Sequence, residues 1–149
     1  MTLIRVMNIE DLQKIQPLIG QLAESVANSH ETRFEQFTEV FTHMADNPEM
    51  YLNLVADQEG EVVGLISLLF YRVWFHPGGT ALINELIVDR RYRSQGIGAL
   101  LIDAAIKEAR SRGMDEIEVG TEQENLGAQR FYRRCGFTET YLLLGMEFE

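Results

Sequence analysis

Three features of this chain carry residue types that do chemistry. Gly96 and Gly98 stand two apart where an apolar strand-like stretch gives way to an amphipathic run, with Arg91 and Arg93 just ahead of them. Glu85 is the only carboxylate in the stretch Ala81 to Val88, and Tyr132 lies in a Phe131-Tyr132 pair downstream of Asn125. A helix that begins after glycines presents unpaired amides and the positive end of its dipole, which together bind phosphate oxygens. Glycine also lets the backbone approach an anion closely. The segment therefore suits a pyrophosphate, although the same two glycines also make a plain tight turn. A P-loop is excluded, because Ala99-Leu100 follows Gly98 where Lys and Ser or Thr are required. A dinucleotide-binding fingerprint would need glycine where Leu101 stands.

Glu85 has apolar neighbours, and partial burial raises a carboxylate's pKa toward the range of a usable base. On an open face it is equally an acceptor-binding anion or a surface carboxylate. Tyr132 has a structural reading too, with its ring buried and its hydroxyl at the surface.

These residues need elements to position them. Leu3 to Met7 alternates as a short strand, and Asn8 with Asp11 makes a helix start. Leu12, Ile15, Ile19 and Leu22 fall on one helical face, which Pro17 is expected to kink or divide. A second helix carries Phe34, Phe37, Phe41 and Met44 and stops at Asn47-Pro48, after an adaptable loop from Ser25 to Thr32. Tyr51 to Ala56 and Val62 to Trp74 form a hairpin, and His76 to Gly79 is read as a further turn into a strand from Ala81 to Val88. Ile97 to Ala109 is the clearest helix, with Asp103 and Lys107 paired on its outside and Gly113 ending it. A strand at Ile117 to Val119, a helix capped by Asn125 and a last strand from Tyr141 to Phe148 complete an α+β order.

The 149 residues suit a single domain spanning 1–149, and at 46% hydrophobic they can build a real core. No apolar run approaches the ~20 residues that span a bilayer. The start Met1-Thr2-Leu3-Ile4-Arg5 has no secretion-signal pattern, so a cytoplasmic protein without a membrane partner is expected. Cys135 stands alone, and His30, His43 and His76 show no ligand spacing, so no metal is expected. Thirteen basic against 23 acidic residues give a formal charge of −10, which repels a nucleic-acid backbone. The carboxylates suit a cationic acceptor, or simply keep the protein soluble.

The run Asn84 to Gly98, with Arg93, Gly96 and Gly98 in an Arg-x-x-Gly-x-Gly pattern, resembles the strand, loop and helix start of Gcn5-related N-acetyltransferases (GNAT). The second block of that family is matched by Asn125, Ala128, Phe131-Tyr132 and Gly136-Phe137. The resemblance spans nearly the whole chain. It implies a single-domain GNAT-like fold: a mostly antiparallel mixed sheet with flanking helices and one splayed strand pair.

It also implies acetyl-CoA as co-substrate and transfer of its acetyl group to a primary amine by direct attack. Amides of Ser94, Gln95, Gly96, Ile97, Gly98 and Ala99 would hold the pyrophosphate, with Arg93 adding positive charge at the same end. The strand edge around Ile87 and Val88 would pair with the pantetheine arm, with the Val88 amide at the oxyanion. Asn125 would lie near the pantetheine and Tyr132 near the sulfur, where it gives the leaving thiolate a proton. Glu85 is the candidate base. A non-catalytic acetyl-CoA sensor is the alternative. The acceptor, a small-molecule or peptide amine, has no general code in this sequence. Only Thr138 to Tyr141 separate Phe137 from the last apolar stretch. One side of the acceptor site is then open, shortened or completed by a second subunit in a homodimer.

Overall fold

The computed structural model describes residues 1–24 and 34–149. Strand β1 (Thr2–Val6) leads through a 3-10 turn (Ile9–Asp11) into helix α1 (Leu12–Glu24), and α2 (Phe34–Asp46) follows. Strands β2 (Tyr51–Gln58), β3 (Glu61–Val73) and β4 (His76–Val88) form a meander; then come a 3-10 turn (Arg90–Tyr92), α3 (Ile97–Ser111), β5 (Glu116–Val119) and α4 (Leu126–Arg134). The sheet order is β1-β2-β3-β4-β5, antiparallel except for the parallel pair β4–β5. This is the expected mixed sheet flanked by helices.

The helix start at Asn8 forms as the sequence predicts. Asn8 accepts from Glu10 N at 3.0 Å and Asp11 accepts from Asn8 N at 2.8 Å, a reciprocal cap. Arg5 holds the buried Asp11 carboxylate with two bonds of 2.8 and 2.9 Å, so this buried charge is compensated. Each sheet face then carries a core. Leu12, Ile15 and Leu18 of α1 pack on Val55, Val62, Leu65 and Ile87. Ile97, Leu101, Ile102, Ala105 and Ala109 of α3 pack on Ile66, Leu68, Phe70, Ala81 and Ile83, with Phe131 and Tyr132 of α4 at the margin. Truncating a fully buried residue such as Leu101 to alanine in a core like this costs about 2–5 kcal/mol.

Three expectations need correction. Pro17 does not divide α1, which runs unbroken from Leu12 to Glu24. The turn before β4 is Trp74-Phe75, and His76 to Gly79 belong to the strand. Those glycines serve close approach: a Cβ on Gly78 would lie 2.3 Å from Gly113 O, and one on Gly79 2.9 Å from Met114 Sδ. Trp74 and Phe75, at that turn, are 97% and 91% exposed. Tyr141 to Phe148 forms no strand and has no sheet pairing, and its large apolar side chains are exposed. The Ser25 to Thr32 loop lies outside the described residues. Among the described residues no helix is long and apolar enough to cross a membrane.

Candidate active site

The site begins where two strands part. Strand β4 pairs with β3 along its whole length, from His76 to Val88, yet it pairs with β5 only through Thr80–Glu116, Ala81–Ile117, Leu82–Glu118 and Ile83–Val119. Asn84 is an extra residue in β4, since Ser67 faces Glu85 and Leu68 faces Ile83. Among the described residues, Asn84 to Val88 have no sheet neighbour on the β5 side.

Hydrogen bonding shows which main-chain groups line that bare edge. Asp89 N donates to Val63 O at 2.8 Å, so Val88 and Gly64 form a non-hydrogen-bonded pair and the Val88 amide and carbonyl turn away from β3. By the same alternation Leu86 also faces the open side. Ile87 is placed differently. Its main chain turns to β3 and its side chain lies in the α1 core at 7% exposure. Arg93 Nε donates to Val88 O at 3.1 Å, which leaves the Val88 amide as the free donor there.

At the far end of this edge α3 starts. Gly96, its N-cap, has φ +82° and makes no side-chain cap. The first helical bond is Leu100 N to Gly96 O at 3.1 Å, so the amides of Ile97, Gly98 and Ala99 have no helical acceptor. Ser94 also has positive φ, at 65°, and Arg93 to Gly96 are exposed. These bent, open amides fit an anion such as a pyrophosphate. The two arginines differ. Arg91 is held by Asp89 at 2.9 Å and by Glu61, whereas Arg93 has no carboxylate partner among the described residues. Asp89 itself is drawn down to a pKa of about 2, chiefly by the Arg91 hydrogen bonds, and it also accepts from the Arg91 amide at 3.0 Å. Sequence reasoning missed this clamp on the loop, although an Asx residue opening the Asp89-Arg90-Arg91-Tyr92 turn is its ordinary signal.

Glu85 and Tyr132 come to the gap from opposite faces. Glu85 faces the α1 side, as Ser67 does, and water reaches it, yet the surrounding protein still raises its pKa by desolvation. Tyr132 projects from α4 on the α3 side, half-buried, with its ring 5.4 Å from Phe131 and 6.0 Å from Phe137. Burial first, then the nearby Cys135 and Glu85, hold the Tyr132 hydroxyl above the usual phenol range. Asn125 caps α4, its Oδ1 accepting from Ala128 N at 3.0 Å. Gly98 admits Phe131: a Cβ there would sit 3.1 Å from the Phe131 Cζ. Two further groups on the Glu85 face were not foreseen. Glu118 accepts from the Tyr71 hydroxyl, whose pKa burial and Glu118 push to about 12, and Glu116 lies 2.8 Å from His76 Nε2. A separate concavity of about 440 Å³, lined by residues including Lys14, Pro17 and Arg91, touches neither Glu85 nor Tyr132.

A strand pair splayed beside a glycine-started helix is the geometry that the sequence resemblance implied. The family model described as "Acetyltransferase (GNAT) family" matches residues 10–137. This chain belongs to the GNAT family. The aminoalkylphosphonate N-acetyltransferase of Salmonella typhimurium (strain LT2) is 32% identical over 132 residues, covering 89% of this chain and 82% of that protein. A crystal structure described as a transcriptional regulator from Bacillus halodurans C-125 aligns with TM-score 0.86 and 25% identity, over 99% of this chain and all of that one. An aminoglycoside N-acetyltransferase in complex with CoA shares the fold, with TM-score 0.84 at 18% identity over 99% of this GNAT chain and 94% of its own. Acetyltransferase activity of the GNAT kind follows from the family and its named N-acetyltransferase relatives.

Proposed function

We propose that this GNAT protein transfers an acetyl group from acetyl-CoA to a primary amine by direct attack, without a covalent enzyme intermediate. The observation that carries the reading is the bare edge of β4 past Ile83, with Glu85 on one side of it and Tyr132 on the other. Acetyl-CoA would supply the activated acyl group. The amides of Ile97, Gly98 and Ala99, with Ser94, Gln95 and Gly96 of the loop and the cation of Arg93, would hold its pyrophosphate. The outward main-chain groups of Leu86 and Val88 would orient the pantetheine as an added strand. Ile87 acts from beneath, anchoring the edge to α1. Asn125 would hold the start of α4 at the far side.

The Val88 amide, turned to the open edge, would stabilise the oxyanion, and a fixed donor there needs no reorganisation during reaction. Glu85, with its raised pKa, would take the proton that an amine must lose, directly or through a water. The Tyr132 hydroxyl, held protonated well above neutral pH, would give a proton to the departing thiolate. Glu116 and Glu118 lie on the Glu85 face and suit an acceptor that arrives as an ammonium ion. The test is CoA-thiol release with aminoalkylphosphonates, aminoglycosides, polyamines, amino acids and peptide amines as acceptors. Binding of acetyl-CoA without thiol release from any amine would favour the non-catalytic sensor. Absence of acetyl-CoA binding at millimolar concentration would remove both.

A further inference from the structure

A short turn joins the two halves of the proposed acetyl-CoA site. It runs from Asp89 to Tyr92, between the β4 edge that ends at Val88 and the loop from Arg93 to Gly96 that starts α3. The sheet fixes the β4 side, where Asp89 N donates to Val63 O at 2.8 Å, and the core packing of Ile97 and Leu101 fixes the α3 side. The turn itself offers main-chain donors, as any helix start does. Tyr92 N finds Asp89 O at 2.8 Å and Arg91 N finds the Asp89 carboxylate at 3.0 Å, both within the turn. Arg90 N is met from outside. It donates to Oε1 of Gln21, on α1, at 2.9 Å.

Gln21 uses both ends of its amide. Its carbonyl accepts from Arg90 N, and its NH2 group donates to the Asp89 carboxylate. A donor on one side and a carboxylate on the other fix which way the amide lies. Other elements grip the turn too. Glu24 of α1 accepts from Arg90 at 2.9 Å, and Glu61 of β3 accepts from Arg91 and, at 2.8 Å, from the Tyr92 hydroxyl. The two ion pairs join exposed side chains, and such pairs contribute little. The Gln21 bonds instead reach the main chain and the buried Asp89. Magnitude therefore singles out Gln21 as the contact that fixes where the turn lies.

We propose that Gln21 is a positioning residue for acetyl-CoA, setting from α1 the spacing between the β4 edge that takes the pantetheine and the α3 amides that take the pyrophosphate. The inference rests on the acetyl-CoA reading above. The two parts of that ligand are covalently linked, so both are held at full strength only where the spacing of their sites matches. A turn released from α1 would sample other spacings, and re-ordering it on binding is subtracted from affinity. A ligand that meets the β4 edge alone makes no such demand. That edge keeps its place without Gln21, through the pairing with β3 and the bond from Asp89 N to Val63 O.

Gln21→Met keeps the side chain's length and helix-forming tendency and removes both bonds. Gln21→Asn keeps the amide but is one methylene short of spanning both partners. Gln21 is only partly buried, so both variants are expected to keep the parent's far-ultraviolet dichroism. By calorimetry each should bind acetyl-CoA about tenfold more weakly, the size of one or two net hydrogen bonds. Acetyl-pantetheine, titrated the same way, should bind both variants as it binds the parent. Glu24→Gln, which loses only an exposed pair, should keep the parent's acetyl-CoA affinity. Unchanged acetyl-CoA affinity in both Gln21 variants overturns the proposal. An equal loss with acetyl-pantetheine overturns it too, since Gln21 would then support the whole edge. A matching loss in Glu24→Gln places the hold in the ion pair and likewise overturns it. A parent that binds no acetyl-CoA removes the acetyltransferase reading and this inference with it, whereas a parent that binds while the Gln21 variants bind alike removes this inference alone.

Discussion

Ile83 is opposite Val119 in the parallel pair, and it is the last residue of β4 with a neighbour on that side. The strand continues through Asn84 to Val88 with Leu86 and Val88 turned to the open edge. Two features produce the gap. β5 stops at Val119, ahead of Gly120, and the extra residue Asn84 shifts the register so that Glu85 falls on the α1 side. The gap lies in the sheet itself, so groups from both of its faces can converge there. That is how Tyr132 of α4 and Glu85 of β4 come within electrostatic reach of one another.

Tyr132→Phe keeps the ring and its packing on Phe131 and Phe137, removing only the hydroxyl. If the hydroxyl supplies the leaving-group proton, kcat should fall about 10²–10⁴-fold, as loss of a general acid does. The acetyl-CoA dissociation constant, read by calorimetry, should stay at the parent value. Unchanged kcat would make Tyr132 a packing residue.

Glu85→Gln should remove the acid-side limb of the pH–rate profile, where rate rises as the base loses its proton. Stability should move the other way. Desolvation raises the folded-state pKa above that of the unfolded chain. Below the unfolded value, about 4.3, both states are protonated and no difference arises. As pH rises through the folded value the parent loses stability that glutamine keeps. The Tm advantage of Glu85→Gln should therefore be near zero at about pH 4 and grow toward neutrality. A flat difference across that range would show that Glu85 is no more desolvated than a surface carboxylate.

The sequence makes the elements legible where local chemistry decides them. The Asn8–Asp11 cap, the α3 stripe from Ile97 to Ala109 and the Asn125 cap depend on residues a few positions apart, and all three form. Glycines misled where their role is non-local: Gly78 and Gly79 signal a turn, yet they are small because Gly113 and Met114 press on the strand. Ile87 misled for another reason. Which main-chain groups face the open edge depends on the register with β3 and on the Asn84 bulge, which side-chain types do not report. The segment from Tyr141 to Phe148 has a strand's alternation, but a strand needs a paired neighbour, and among the described residues it pairs with none.

Asp89→Asn tests the clamp that holds the loop. Asp89 is buried, and its pKa of about 2 means that its charged form stabilises the fold above the unfolded value, near 4. The cost at pH 7 should be about 1–2 kcal/mol, reduced from the full shift because Arg91 is exposed to water. As pH falls from 4 to about 2 the parent loses that stability and the two proteins should converge. Urea melts at pH 7 and pH 2.5 measure it; equal gaps at both would place the effect in shape rather than charge.

Gly96→Ala separates an anion site from a plain turn. Nothing lies within 4 Å of the added methyl, so the only penalty is the backbone at φ +82°. That conformation costs an L-residue about 1–2 kcal/mol. Either the alanine chain keeps the bend, and Tm alone falls, or it relaxes and turns the amides of Ile97 and Gly98 away from their common focus. If those amides hold a pyrophosphate, acetyl-CoA affinity should drop about tenfold, equivalent to 1.4 kcal/mol. The loss should exceed that for acetyl-pantetheine, which presents no pyrophosphate to this loop. A variant that melts earlier while binding acetyl-CoA as tightly as the parent would make Gly96 a turn residue and move the phosphate contact to Arg93.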